Sequence, residues 1–220
     1  MTRAWTTLER VATPHGELSL RRRGDHDFLI AQDRRVIMTS AAHRSESLLA
    51  EQACAALAPL RRPRLLIAGL GMGFTLRAAL DRLPAGARVE VAELEPAVVA
   101  WCRGPLADAC GRALDDRRVR LRIEDVAAAI ARAAAGRAPR YDAVVLDLFE
   151  GPGGDADPVF GREGLARIRA ATASPGVLAV WSERDDARFE KRLRGAGYRV
   201  ARTRARAAGL HHTVYLARTC

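Results

Sequence analysis

The chain has 220 residues, 49% of them apolar, which suits one domain with a real core, or one domain with a small appendage. Its start, MTRAWTTLER, lacks the apolar stretch of a secretory leader, and there is no run of about 18 apolar residues, so the expectation is a cytoplasmic protein without a membrane span. The formal charge of +10 points toward polyanions, but Lys191 is the single lysine among 36 basic residues, and so many arginines beside abundant Ala and Gly look like GC-rich codon bias.

In chain order, ELSLRRR, DFLIAQD and RVIMTS read as short strands separated by the turn signals PHG, RGD and DRR, with Asp33-Arg34-Arg35 at a hairpin tip. SESLLAEQACAAL reads as a helix with Ser45 as N-cap and with Leu48, Leu49, Cys54 and Leu57 near one face. This divides the chain into an N-terminal β-hairpin region, 1–44, and an α/β domain, 45–220. After Pro63, the strand-like runs RLLIAG, RVEVAEL, RVRLRI, YDAVVLD and GVLAVWS alternate with the helical stretches FTLRAALDRL, PAVVAWC, VAAAIARAAA and REGLARIRAA. Such alternation predicts a doubly wound, mostly parallel α/β sheet. A helix over DDARFEKRLRGAG and a terminal antiparallel hairpin, YRVARTRAR and HHTVYLAR, complete the chain.

Residues Arg184 to Arg206 hold nine basic and three acidic side chains, +6 of the net +10. Arg202, Arg204 and Arg206 alternate and would share one face of a strand, either a charge-protected edge or a strip for nucleic acid. Cys54, Cys102, Cys110 and Cys220 show no paired spacing and read as thiols in a reducing compartment. His211 and His212 are adjacent, so in a strand they point to opposite faces and cannot share a metal; no metal site is expected.

The chemistry concentrates at strand ends. Gly69, Gly71 and Gly73 alternate after the first strand of the α/β repeat and open a helix, where glycine permits a tight turn and close backbone approach. Glu93 lies 20 residues beyond Gly73 at the end of the next strand, the place for a carboxylate that accepts ribose hydroxyls. Asp125 follows the third strand and either caps a helix or accepts from an adenine amino group. Asp147 ends a strongly apolar strand, with Glu150 three residues later, and two carboxylates beside a pocket suit capture and deprotonation of an amine. Trp181, at the end of another strand, is a core residue or part of an acceptor pocket.

The order LLIAGLGMG, VEVAELEP, DDRRVRLRIEDV, YDAVVLDLFEGP and SPGVLAVWSE resembles the spermidine synthase family, the polyamine aminopropyltransferases and their relatives, over about Ser45 to Glu183. The resemblance implies a seven-stranded Rossmann-like sheet of methyltransferase type, a homodimer, and an S-adenosylmethionine or decarboxylated S-adenosylmethionine donor. By position, Gly69, Leu70, Gly71, Met72 and Gly73 match the nucleoside-binding glycine loop. Glu93 with Leu94 matches the ribose-binding acid, and Asp125 with Val126 the adenine contact. Asp147 matches the catalytic aspartate, and Glu150 stands where a second aspartate is usual.

Three departures alter the expectation. Met72 replaces the aspartate that would hold the donor's amino end. Ser45 to Ser47 replace a tyrosine followed by His or Gln. Asp147-Leu148-Phe149-Glu150 replaces Asp-Ser-Ser-Asp. The expected function is therefore a spermidine synthase-like transferase that moves a methyl or related group to an unidentified small acceptor. The alternatives are an aminopropyltransferase with altered amine specificity, and a non-catalytic nucleoside-binding module with an RNA or protein partner. With Met72 in the loop, intact S-adenosylmethionine is expected to bind at least as well as its decarboxylated form, its carboxylate received by turn and helix-start amides.

Overall fold

The computed structural model describes residues 3–148, 152–154, 156–207 and 210–219. Four strands come first: β1 (Thr6–Thr13), β2 (Gly16–Arg23), β3 (Asp27–Gln32) and β4 (Arg35–Thr39), an antiparallel sheet in sequential order. β1 was not among the predicted strands, because most of it is exposed and it carries no apolar alternation. Its anchor is distant: Glu9 accepts a 2.7 Å hydrogen bond from the indole N–H of buried Trp101.

The remainder is α1 (Arg44–Ala55), β5 (Arg64–Ala68), α2 (Phe74–Leu80), β6 (Arg88–Glu93), α3 (Pro96–Arg103), a 3-10 turn (Ala113–Asp115), β7 (Val119–Ile123), α4 (Val126–Ala134), β8 (Tyr141–Leu146), α5 (Arg162–Ala171), β9 (Thr172–Ser182), α6 (Ala187–Gly195), β10 (Tyr198–Ala207) and β11 (Leu210–Thr219). The strands form one seven-stranded sheet in the order β10-β11-β9-β8-β5-β6-β7. β5 to β9 run parallel, while β11 and β10 are antiparallel additions, as the sequence pattern predicts.

Alternation along the strands divides the core. Leu65 and Ile67 of β5 pack with α1, α2, α3 and the small sheet, whereas Leu66 and Ala68 pack with α4, α5 and α6. The chain winds from β5 outward to β7, then returns to place β8 on the other side of β5. The loops after β5 and β8 therefore leave the sheet on opposite sides of a crevice, where ligands bind in such folds. Gly69 follows β5 and Asp147 follows β8.

One local expectation fails. His43, not Ser45, occupies the N-cap of α1, with no side-chain cap bond. The Ser45 hydroxyl is engaged elsewhere, with Glu46 and His212.

Candidate functional site

The glycine loop is built as its spacing demands. Gly69, Gly71 and Gly73 have φ of +82°, +52° and +79°, the left-handed region that disfavours any Cβ. At Gly69 a Cβ would also lie 2.3 Å from the Asp147 carbonyl oxygen, so this glycine lets the β5 and β8 ends close together.

The Met72 side chain does not enter the crevice. It is fully buried in the core cluster, and its backbone N–H donates to the Met38 sulfur of β4 at 3.1 Å. The neighbouring amides are engaged too. Gly69 N–H donates to Ala92 O at 3.0 Å, Leu70 N–H to Glu93 Oε2 at 2.7 Å and Gly73 N–H to Leu70 O at 2.7 Å. The Gly71 N–H also interacts with the Glu93 carboxylate. The turn thus offers no ready set of amides for a ligand carboxylate, contrary to the expectation from sequence.

Glu93 is buried at the end of β6 and grips this loop, its second oxygen accepting from Glu95 N–H at 2.9 Å. Burial pushes its carboxyl above the usual range, and the backbone N–H groups pull partly back. A carboxylate has about four acceptor sites, so these two bonds leave capacity for hydroxyls. Leu94, which follows it, lines the cavity and is 48% exposed. Ile123 pairs with Glu93 across the sheet and is 53% exposed. Two large apolar side chains left open at adjacent strand ends make a ready face for a flat ring; the reading of the sequence did not include Ile123. Asp125 is the N-cap of α4 and accepts from Ala127 N–H at 2.8 Å, so the capping alternative is realised. Val126 is buried in the core on the α4 side, and neither residue lines the cavity.

Across the crevice, Asp147 accepts a short hydrogen bond from the Thr75 hydroxyl of α2. Burial and the nearby charge of Glu46 push its carboxyl up to about 7, and the Thr75 bond opposes the shift. The residue keeps some accessible surface because it lines the cavity. Glu150 lies outside the described residues.

These groups share a cavity of about 600 Å³. The small sheet supplies one wall, including Leu18, Ile30, Ile37 and Met38, and the strand ends supply Glu93, Glu95, Asp147, Leu148 and Trp181. Glu46 enters from α1. The sequence reading missed Glu46 and the small-sheet wall, since neither belongs to a local motif. Among its described lining residues the cavity has four carboxylates and no arginine or lysine, in a chain of formal charge +10. A larger groove of about 730 Å³, with Arg162, Arg169, Arg188, Lys191 and Arg192 along α5 and α6, has none of these strand-end groups and is not assigned as the site. Among the described residues no cluster of three His, Cys, Asp or Glu side chains could hold a metal, and no helix is long and apolar enough to cross a membrane.

The arginine strip lies on β10, an edge of the large sheet. Asp185 pairs with Arg204 and lies 3.8 Å from Arg202, which also approaches Glu190 at 3.7 Å. Nothing is described of the Arg206 side chain. Local pairing reduces the field available to phosphates, so RNA binding is expected to be weak near physiological salt and to fall steeply with salt by counterion release. Tight binding that persists there in a filter-binding assay, and disappears on replacing Arg202, Arg204 and Arg206 by alanine, would promote the nucleic-acid alternative.

No protein-family model and no curated protein matches the sequence. The structure does match solved ones. A spermidine synthase in complex with the transition-state analogue AdoDATO superposes with a TM-score of 0.76 at 16% identity, covering 96% of this chain and 72% of the other. Spermidine synthase from Thermotoga maritima gives a TM-score of 0.75 at 17% identity, with the same coverage of 96% and 72%. The small antiparallel sheet, the seven-stranded sheet and the strand-end crevice together make this a spermidine synthase-like fold.

Proposed function

We propose that the chain is a group transferase that takes an adenosyl sulfonium donor and a cationic amine acceptor. The observation that carries this is the charge of the cavity: Glu46, Glu93, Glu95 and Asp147 line it, and no basic side chain does. Such a site favours cations and penalises ligand carboxylates. The fold shared with a spermidine synthase that binds AdoDATO supports the same reading.

The residues present fit the donor's nucleoside half. Glu93 would accept the ribose hydroxyls, Leu94 and Ile123 would cover the adenine faces, and the left-handed glycines let the backbone come close. When bound, the donor supplies an electrophilic carbon beside the sulfonium. Asp147 takes the proton that an attacking ammonium must lose, and a carboxyl near 7 is matched to that role at neutral pH. The four carboxylates and the engaged loop amides favour a donor without a carboxylate, so aminopropyl transfer replaces methyl transfer as the preferred reaction.

Calorimetric titration with S-adenosylmethionine and its decarboxylated form tests this. The decarboxylated form is expected to bind at least about tenfold tighter, the value of one charged contact. Glu93→Ala is expected to weaken both by about 1.5–3 kcal/mol, the usual worth of a hydrogen bond to a charged group. Equal affinity for the two donors would return methyl transfer to first place. Binding of neither by the folded protein would remove the assignment.

A further inference from the structure

Glu46 belongs to none of the strand-end motifs, yet it is a buried acid, 7% exposed, that lines the cavity with Asp147 and acts on it electrostatically. A hydrogen-bonded chain stands behind it. The Ser45 hydroxyl donates to Glu46 Oε2 at 2.6 Å and lies 2.9 Å from His212 Nδ1. A serine hydroxyl has one proton, and here it is committed to the carboxylate. The second contact therefore requires His212 Nδ1–H to donate to Ser45 Oγ. The order runs from histidine to serine to carboxylate. It differs from a hydrolytic triad, in which histidine must take the serine proton. Ser45 is thus a support and not a nucleophile.

His212 is suited to that role. Burial lowers its pKa against the opposing charges of Glu46 and Glu183, which keeps the ring neutral near pH 7 with its proton on the serine side. The ring also packs edge-on against Trp181, 4.8 Å between centroids, and Trp181 is a cavity wall whose enclosed Nε1–H has no protein partner. One residue of β11 thereby steadies both a carboxylate and an aromatic face of the cavity.

We infer that Glu46 is a second acceptor-binding carboxylate, holding an ammonium group beside Asp147, and that Ser45 and His212 are the residues that position it. The inference rests on the amine-acceptor reading above and deepens it. Two neighbouring carboxylates repel each other, and a cation between them relieves that repulsion. A diamine meets both needs. One nitrogen remains an ammonium on Glu46, while the other gives a proton to Asp147 and uses its lone pair to form the new N–C bond. The C–S bond breaks, its electron pair leaves on sulfur as a neutral thioether, and the proton still carried by the alkylated nitrogen keeps it cationic.

The test is calorimetry of the intact protein with α,ω-diamines of about three to six carbons and with butylamine, alongside the decarboxylated donor. In the wild type a diamine is expected to bind more tightly than butylamine. Glu46→Gln should weaken the best diamine by at least about tenfold while donor affinity stays within about twofold. Ser45→Ala should weaken it by about three- to tenfold, and Ser45→Thr, which retains the hydroxyl, should recover most of that. Unchanged diamine affinity in Glu46→Gln, or an equal loss for diamine and donor, overturns the role of Glu46. No recovery by threonine overturns the role of Ser45. A wild type that binds the donor but no diamine overturns the inference and leaves the nucleoside assignment standing, whereas a wild type that binds neither overturns both.

Discussion

Asp147→Asn is expected to lower turnover of an amine by about 10²–10⁴-fold, the range for loss of a general base, and at the same time to stabilise the folded protein at pH 8. The two effects share one cause. Asp147 is enclosed at the end of β8 near Glu46, and its carboxyl is raised from 3.8 to about 7. Between about pH 4 and pH 7 the folded chain keeps a proton that the unfolded chain has lost, so stability falls as pH rises and levels off above the folded pKa. Asparagine removes that penalty while its amide oxygen can still accept from Thr75. A shift of this size corresponds to roughly 2–4 kcal/mol at pH 8, and the difference should vanish near pH 4. Urea denaturation of both proteins across that range measures it. An Asn variant no more stable than the wild type at pH 8 would show that the carboxyl is not desolvated as the structure places it.

Met72→Asp is expected to destabilise the protein by about 3–5 kcal/mol, the scale for an uncompensated buried charge. Sequence reading alone expects this change to shift donor preference, since the resemblance places a donor-binding aspartate there. The structure points the Met72 side chain into the core, with no exposed surface, while its amide is bonded to the Met38 sulfur. An aspartate would have to ionise among apolar side chains or stay protonated without a partner, and either costs several kcal/mol. For a domain of this size that corresponds to a fall of roughly 6–15 °C in Tm. A variant of unchanged stability that gains selectivity for the decarboxylated donor would show that residue 72 turns toward the ligand.

The two variants also separate the kinds of information in the chain. The large sheet was legible because β5, β6, β8 and β9 are apolar runs, while their connections show helical period and turn residues. The glycines were legible because alternate Gly after an apolar strand has one economical use, a left-handed turn, and all three adopt it. Glu93 and Asp147 were legible as carboxylates at strand ends, where a parallel sheet opens its crevice. β1 was not, since it pairs with β2 on the strength of backbone bonds and the remote Trp101–Glu9 contact.

The sequence by itself determined the order of the parallel-sheet elements, the conformation of the glycine turn and the placing of Glu93 and Asp147 at strand ends, because each follows from spacing within a few residues. Only the tertiary structure decided where the side chains around that turn point and which distant groups meet. It buried Met72, engaged the loop amides, gave the Asp125 carboxylate to the cap of α4, and joined Ser45, Glu46, Asp147 and His212 from α1, the end of β8 and β11. Residues separated by some 100 positions leave no periodic trace in the chain. Their meeting depends on how α1 packs against β8, β9 and β11, and that packing is settled by the whole core at once.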